Sequence, residues 1–243
     1  MEYVPLDLGS KESIQEFARI VASKHPNIDF LLNNAGVMFL PTRTLTRDGF
    51  EMQMGVNHLG HFFLTSLLWN NLKNSKDLRI VNVASLAHSV VTPWIFSKVD
   101  IDFANFNGEK NYDPTMTYSR TKLANILFTK ELASRVEKIN PTARIVALHP
   151  GVVRTEITRY IRKGIVDFLY MMVEPIYWIF SKSSKEGAQT SLYTIYESTD
   201  KLANGAYYSD CAEKTPTAEA RNADTAAKLW EVSEQLLNHE FKI

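Results

Sequence analysis

Tyr118 and Lys122 are the residues of this chain whose types and spacing most clearly suggest chemistry. They lie four residues apart where an apolar helical pattern begins, so they share one helix face, one turn apart. A phenol has a pKa of about 10 in water, and a cation within about 4–6 Å lowers it. Such a tyrosine can exchange a proton near neutral pH. The alternative is a chance neighbour pair on a solvated helix face.

Ser85 and Asn57 are two further polar candidates. Ser85 follows the apolar run "RIVNVA", and its hydroxyl could bond a substrate carbonyl or hydroxyl oxygen. The alternative for Ser85 is a turn or helix-capping role. Asn57 falls inside a predicted helix, where asparagine is mildly unfavourable, and could hold a water molecule or distort the helix near a site. The alternative is an ordinary polar helix residue.

Other catalytic classes find little support. His58 and His61 form an HxxH pair, but the sequence places no third metal ligand, which favours a non-metal role. Ser85 has no GxSxG surroundings, so a hydrolase nucleophile is not expected. Cys211 is the only cysteine, which excludes an internal disulfide and a cysteine-based zinc site.

The elements that must position these residues alternate between helices and near-continuous apolar strands. This alternation predicts a doubly wound parallel α/β sheet of the Rossmann type, covered by helices on both faces. Ligands bind such sheets beyond the carboxyl ends of the strands. The predicted strands are 2–8, 28–36, 79–85 and 143–153; the predicted helices are 10–25, 48–72 and 115–136; a loop covers 86–113.

Polar and glycine residues follow three of these strands, at the edge where a ligand would lie. Asn33, Asn34 and Gly36 follow one strand, Ser85 the next, and Pro150 with Gly151 the third. The sequence therefore predicts that one site gathers these positions.

Length and composition indicate one globular domain over 1–243. Twenty-seven basic residues balance 27 acidic ones, which gives no electrostatic reason to expect a nucleic acid partner. No signal peptide is visible, and an intracellular location is expected, either cytoplasmic or at an organelle membrane. The apolar stretch 165–180 is too short to span a bilayer. It is interpreted as a buried or subunit-facing helix pair, or as a membrane-surface or substrate-pocket lid.

Together the motifs resemble the short-chain dehydrogenase/reductase family. "NNAG" at 33–36, Asn57, "NVAS" at 82–85, "YSRTK" at 118–122 and "HPGVVRT" at 149–155 occur in one order across the chain. Stretches such as "TYSRTKLANILFTKELASRV" and "GAYYSDC" are similar to the retinol dehydrogenase-like and WW-domain-oxidoreductase-like branch. The resemblance implies an oxidoreductase that uses NAD or NADP to interconvert alcohol and carbonyl groups.

The resemblance also implies a role for each motif residue. Tyr118 would be the general acid and base, and Lys122 would lower its pKa and bond the nicotinamide ribose. Ser85 would position and polarise the substrate oxygen. Asn57 would help to hold a proton-relay water near the lysine.

The cofactor contacts implied by the resemblance run from the adenine to the nicotinamide. Asp7 would contact adenine, and Pro150, Gly151, Val153 and Thr155 would line the nicotinamide. The residues implied on the adenosine side are Asn34, Ala35 and Gly36.

The region 156–185 corresponds to the substrate loop of the family. Its bulky apolar side chains suggest a small apolar substrate such as a retinoid, a steroid or a lipid aldehyde, or else contact with a partner protein. The chain could dimerise or join a larger protein assembly, and contact with a membrane surface stays open. The side chains concerned are Phe168, Tyr170, Met171, Met172, Ile176, Tyr177, Trp178 and Phe180.

The sequence departs from the family pattern in the part that binds the phosphates of the cofactor. The sequence has no GxG pair, so the glycine-rich βαβ part that binds the pyrophosphate is missing and the fold is expected to be N-terminally truncated, with an open sheet edge. NAD and NADP cannot be told apart. Either this is a piece of a normal enzyme, or a short chain serves as a catalytically degenerate structural subunit. A simple apolar-ligand carrier is a third reading.

Overall fold

The computed structural model describes residues 2–89, 98–153 and 181–243. At its centre is one five-stranded sheet with the strand order β1-β2-β3-β4-β5. The first four strands run parallel, and β5 returns antiparallel to β4 as a hairpin. The bounds are β1 Phe30–Asn33, β2 Arg79–Val83, β3 Arg144–His149, β4 Tyr207–Ser209 and β5 Ala212–Lys214.

Helices cover both faces of the sheet, which confirms the doubly wound α/β prediction. Successive residues of a strand point to opposite faces. Ile80 and Ile145 accordingly join the larger core, while Val81 and Val146 join a smaller core on the other face. The helices are α1 Lys11–Lys24, α2 Met52–Met54, α3 Gly60–Leu67, α4 Trp69–Leu72, α5 Pro114–Glu137, α6 Ser184–Gly187, α7 Gln189–Tyr196 and α8 Ala223–Leu237, with a π-helix at Gly55–Leu59.

The long helix α5 carries the Tyr-Lys motif and has a well-defined start. Asp113 is its N-cap, and the Asp113 carboxylate accepts a hydrogen bond from the Met116 backbone N–H at 2.6 Å. Pro114 follows at the first helical position, where its missing N–H costs nothing. The helix packs along β3 and α8, so the positions of Tyr118 and Lys122 are fixed by the core.

The predicted helix over 48–72 is not continuous. It is divided into α2, a π-helix at Gly55–Leu59, α3 and α4. A π-helix inserts one extra residue into a turn and is frequent at functional sites. Asn57 lies at its centre, so the distortion occurs at the asparagine that the sequence marked as unfavourable.

Buried amides tie β1 to β2 and β2 to α5. The Asn33 amide donates to Asn82 Oδ1 at 2.8 Å, and the Asn82 amide donates to Thr129 Oγ1 at 2.9 Å. Each buried polar group that finds a partner avoids a desolvation penalty of about 1–3 kcal/mol. This chain of hydrogen bonds fixes the strand ends relative to the helix that carries Tyr118.

Two predictions about the first strands were wrong. Residues 2–8 form no strand in the described part of the chain. Instead Leu8 packs on α3 so tightly that a Cβ on Gly60 would lie 2.6 Å from the Leu8 carbonyl oxygen. The strand predicted over 28–36 shrinks to β1, and it is not buried: Phe30 is 46% exposed and Leu32 is 40% exposed. Both residues face the side of the sheet on which α7 packs mainly against β2, β3 and β4.

Candidate active site

Tyr118 lies in a closed environment at the carboxyl end of the sheet. Its side chain is 6% exposed, and the Phe39 ring meets it edge-on at 5.1 Å between ring centres. Burial raises the pKa of Tyr118 to about 12, while a hydrogen bond with the Ser85 side chain acts in the opposite direction. The phenol is therefore protonated at neutral pH, which is the form that can donate a proton.

Lys122 lies one turn further along α5 and is 4% exposed. Its ammonium donates to the Val83 carbonyl oxygen at 2.9 Å and lies 5.6 Å from the centre of the Tyr118 ring. Burial lowers the pKa of Lys122 to about 8. An ammonium has three hydrogens, and Val83 is its one hydrogen-bond acceptor among the described residues.

These distances correct one expectation. The resemblance implied that Lys122 lowers the pKa of Tyr118, whereas burial raises it in the protein as described. The reason is geometric, because the ammonium is directed at the Val83 carbonyl and lies beside the phenol ring. Desolvation of the phenolate is the largest effect on the Tyr118 pKa, and it decides the direction of the change.

Ser85 joins the tyrosine from the end of β2. It is the N-cap of a short 3₁₀ helix at Leu86–His88, and its hydroxyl oxygen accepts from the Ala87 backbone N–H at 3.2 Å. Ser85 therefore does cap a helix, and the same side chain also interacts with Tyr118. Capping therefore fixes the Ser85 hydroxyl in place near Tyr118.

Asn57 joins the loop after β1 to α5. Its side-chain oxygen accepts from the Val37 N–H at 2.8 Å, and its amide donates to the Val37 carbonyl at 2.9 Å and to Thr121 Oγ1 at 3.0 Å. Its backbone carbonyl oxygen lies 3.1 Å from His61 Nδ1. The Asn57 side chain thus positions protein atoms, and the water-holding role stays a prediction.

Gly36 shows how closely the loop after β1 approaches the site. A Cβ at this position would lie 2.9 Å from Asn57 Oδ1 and 3.8 Å from Lys122 Nζ. The neighbours Asn34 and Ala35 are exposed beside it. The structure therefore brings Gly36, Asn57 and Lys122 together, as the motif order predicted.

Gly151 lies on the other side of the sheet edge and has φ +91°, a conformation that favours glycine. A Cβ here would lie 2.8 Å from Lys182 Cδ, and Lys182 forms an ion pair with Asp210. Val153 pairs with Lys182 in a parallel bridge. Pro150 and Gly151 follow β3 directly, while Thr155 lies outside the described residues.

Asp7 makes its contacts outside this cluster in the described part of the chain. Its carboxylate accepts from the Gly9 N–H at 2.9 Å and lies 3.9 Å from Arg47 Nε. The side chain is 54% exposed. A contact with adenine stays a prediction for this residue.

Phe39 is a site residue that the sequence did not indicate. It has φ +54°, a strained value for an aromatic residue. Its backbone N–H donates to Oε1 of the fully buried Gln53 at 2.8 Å. Backbone strain held by a buried amide beside a tyrosine depends on long-range packing, so no local pattern could have revealed it.

The HxxH pair belongs to the interior. His58 Nε2 lies 2.9 Å from Ser233 Oγ, and burial lowers the pKa of His58 to about 3. Burial also lowers the pKa of His61 to about 4. In the described ranges, no group of three or more metal-ligating side chains forms.

Comparison with known proteins agrees with the motif order. The model of the short chain dehydrogenase family matches residues 1–96. Retinol dehydrogenase 12 of Mus musculus is 41% identical over 237 residues, which are 98% of this chain and 70% of that protein. Retinol dehydrogenase 14 is 42% identical over 96% of this chain in both Mus musculus and Homo sapiens.

The chain belongs to the short-chain dehydrogenase/reductase family. Its relatives place it in the retinol dehydrogenase-like branch, which confirms the resemblance drawn from the motifs. The chain spans about two thirds of the length of the first relatives, 66% and 65% of the two retinol dehydrogenase 14 sequences.

Solved structures show the same fold of the short-chain dehydrogenase/reductase family. A crystal structure of an uncharacterized protein from Mycobacterium Paratuberculosis superposes with a TM-score of 0.66 at 31% identity, covering 98% of this chain and 76% of that one. The NADPH-bound carbonyl reductase from chicken fatty liver superposes with a TM-score of 0.56 at 20% identity, covering 84% of this chain and 72% of that one.

In the described ranges, no helix is long and apolar enough to cross a membrane.

The Lys122 side chain fits the cofactor that this family implies, because its ammonium has hydrogens to spare for ribose hydroxyl groups. Gly36 and Gly151 are set by protein packing. A Cβ would lie 2.9 Å from Asn57 Oδ1 at Gly36 and 2.8 Å from Lys182 Cδ at Gly151.

Proposed function

We propose that this protein is an oxidoreductase that interconverts alcohol and carbonyl groups with NAD or NADP. One observation carries the proposal: the buried pair of Tyr118 and Lys122 lies beyond the carboxyl end of β2, where the Ser85 side chain is close enough to act on the pKa of the tyrosine. The names of the relatives and the NADPH-bound carbonyl reductase support it. A choice between NAD and NADP does not follow from these residues.

The proton is handled by the chain's own residues. In carbonyl reduction, the Ser85 hydroxyl donates a hydrogen bond to the substrate oxygen and orients it. The Tyr118 hydroxyl then transfers its proton to that oxygen as negative charge develops. Burial keeps Tyr118 protonated beforehand, and the Lys122 ammonium favours the phenolate that remains. Oxidation of an alcohol follows the same atoms in reverse.

The nicotinamide, when bound, supplies or accepts the hydride. Lys122 and Tyr118 would hold its ribose, and Pro150, Gly151, Val153 and Thr155 would line the ring. Asn34, Ala35 and Gly36 would lie along the adenosine side, with Asp7 at the adenine. Asn57 holds the Gly36–Val37 backbone through two hydrogen bonds, and so it would fix the shape of this wall.

We further propose an apolar substrate, of the retinoid, steroid or lipid-aldehyde class, bound by a single domain over 1–243. The Phe39 ring against Tyr118 gives the reacting centre an apolar wall. The retinol dehydrogenase relatives support the retinoid class. The loop expected over 156–185 lies outside the described residues except for its last five.

A second candidate, a structural subunit without turnover, is favoured by the exposed face of β1. Phe30 is 46% exposed, Leu32 is 40% exposed, and Tyr196 beside Phe30 is 76% exposed. Further protein packed on these side chains would bury apolar area. In such a subunit, changes at Tyr118 would have no effect, whereas polar substitutions of Phe30 or Leu32 would weaken the assembly.

The experiment that separates these functions compares Tyr118→Phe with Tyr196→Phe. Both remove one phenol oxygen, but Tyr196 is 76% exposed and its ring lies beside Phe30, at the amino end of β1. With retinaldehyde and either reduced nicotinamide, Tyr118→Phe is expected to lower kcat about 100-fold or more with its fold intact, because a general acid contributes about that much. Tyr196→Phe should keep wild-type turnover. Equal activity of all three proteins would refute the assignment.

A further inference from the structure

A pocket that the proposed mechanism does not use lies next to the segment that follows Ser85. It is a cavity of about 380 Å³ at the carboxyl ends of β2, β3 and β4. We call it the histidine pocket, because two histidines form its inner wall. The lining residues that matter below are His88, His149, Tyr207 and Lys214.

Tyr207 brings an unused hydrogen-bond donor to this pocket. The residue is 5% exposed, and its hydroxyl is buried without a hydrogen-bond partner in the described protein. Burial raises the pKa of Tyr207 well above its usual range, so the hydroxyl keeps its hydrogen. Buried polar groups in native proteins are nearly always paired, and an orphan hydroxyl on a cavity wall indicates a missing partner.

His88 brings an acceptor to the same place. Its Nδ1 lies 2.6 Å from the Ser85 carbonyl oxygen, and a carbonyl only accepts, so Nδ1 carries the hydrogen. Burial lowers the pKa of His88, and in the neutral ring Nε2 is left as an acceptor. The His88 ring packs edge-on against Tyr207, with 5.0 Å between ring centres.

His149 adds a second orphan atom. Its Nδ1 is buried without a partner in the described protein, and burial lowers the pKa of the ring to about 4. The pocket wall is therefore polar but uncharged, while the Lys214 side chain lies on the exposed strand β5 at its border. A charged ligand finds no buried counter-charge here, whereas a neutral polar group finds both a donor and an acceptor.

We propose that the histidine pocket binds a second hydroxyl group of the substrate, remote from the carbon that reacts at Tyr118. A hydroxyl is the group that can accept from Tyr207 and donate to His88 Nε2 at once. His88 follows Ser85 by three residues and its ring bonds the Ser85 carbonyl oxygen, so this wall of the pocket is tied to the serine of the reacting centre. The preferred substrate is then an apolar alcohol or aldehyde that carries a further hydroxyl. This inference rests on the proposed function only in calling the ligand a substrate.

The test uses a graded series of aliphatic aldehydes of increasing length, each with and without a terminal hydroxyl. At the length that reaches the pocket, the wild type should prefer the hydroxylated aldehyde by about 10-fold in kcat/KM, since polar sites reject analogues that leave them unpaired. Tyr207→Phe should reduce this ratio to near one. His88→Asn, whose amide can still donate to the Ser85 carbonyl, should do the same. Tyr196→Phe is the matched control and should keep the preference.

A binding measurement separates this proposal from the activity. Calorimetric titration without cofactor should show the terminal diol binding about 10-fold tighter than the mono-alcohol of equal length, and Tyr207→Phe should remove the difference. Tighter diol binding without turnover of any aldehyde would refute the proposed oxidoreductase and retain the pocket. No preference at any length in either assay, or a preference that survives Tyr207→Phe, would overturn the pocket assignment.

Discussion

Replacing Lys122 by methionine should stabilise the folded protein at neutral pH while it removes activity. Burial lowers the pKa of this lysine from 10.5 to about 8, so the folded protein binds the proton more weakly than the unfolded chain does. Below about pH 8 both states carry the proton, and the folded state bears the full cost of the buried charge. As the pH rises through about 8, Lys122 loses its proton in the folded protein, while the unfolded chain keeps it up to about pH 10.5. The cost of the buried charge therefore disappears over this range.

The magnitude follows from the size of this pKa change. A change of one pKa unit corresponds to about 1.4 kcal/mol, so the buried ammonium costs about 3 kcal/mol at pH 7. Methionine fills nearly the same volume without charge. The Val83 carbonyl does not lose its last partner, because the Asn125 amide also donates to it at 3.1 Å. Lys122→Met should therefore raise the free energy of unfolding by about 2–3 kcal/mol at pH 7.

Urea unfolding between about pH 6 and pH 10 would measure this difference. The gain should be constant below about pH 7 and should shrink as the pH rises toward 10. Lys130→Met, on the same helix but only partly buried, is the matched control and should show neither the gain nor its pH dependence. A Lys122→Met protein that is less stable than the wild type at pH 7, or a gain independent of pH, would refute the reasoning.

Three further predictions test other parts of the site. The kcat/KM of carbonyl reduction should fall as the pH rises through about 8, where Lys122 loses its proton. Lys122→Arg should move that fall to higher pH. An unchanged pH profile would show that Lys122 is not the group that titrates. Asn57→Ala should lower the unfolding free energy by about 3 kcal/mol by urea titration, because it removes two hydrogen bonds to the Val37 backbone and one to Thr121 Oγ1, whereas a loss under about 0.5 kcal/mol would contradict the hydrogen bonds described. Gly60→Ala should cost about 1–3 kcal/mol in the same assay, since its Cβ meets the Leu8 carbonyl, and an unchanged midpoint would show that residues 2–8 do not pack there.

Local patterns predicted the elements whose signals are strong. The helix expected over 10–25 is Lys11–Lys24, with Ser10 as its N-cap, and the helix expected over 115–136 is Pro114–Glu137. The strands ending near Ser85 and Pro150 were also found. These segments combine regular apolar spacing with capping residues or glycine, so the local and tertiary preferences agree.

Other features depend on contacts between distant residues and were missed. Residues 2–8 have strand-like composition, but Leu6 and Leu8 pack into the core that contains α3, while Tyr3 is 86% exposed. The β4–β5 hairpin turns through Asp210 and Cys211 with φ +52° and +56°, although neither is glycine. Asp210 is held there by its ion pair with Lys182, a partner 28 residues away.

The direction of the Tyr118 pKa change could not come from the motif either. A tyrosine and a lysine four residues apart are adjacent on a helix, but adjacency does not fix where the ammonium points. The Val83 carbonyl, at the end of β2, takes its hydrogen bond instead. Burial of the phenol then decides the sign of the pKa change.

The most direct test of the central claim follows the hydride itself. The protein would be incubated with retinaldehyde and a reduced nicotinamide that carries deuterium at the transferred position, and the mass of the alcohol product would be measured. We expect one deuterium on the former carbonyl carbon with the wild type, and almost no product with Tyr118→Phe. Alcohol without deuterium, or equal product from both proteins, would contradict an oxidoreductase in which Tyr118 supplies the proton.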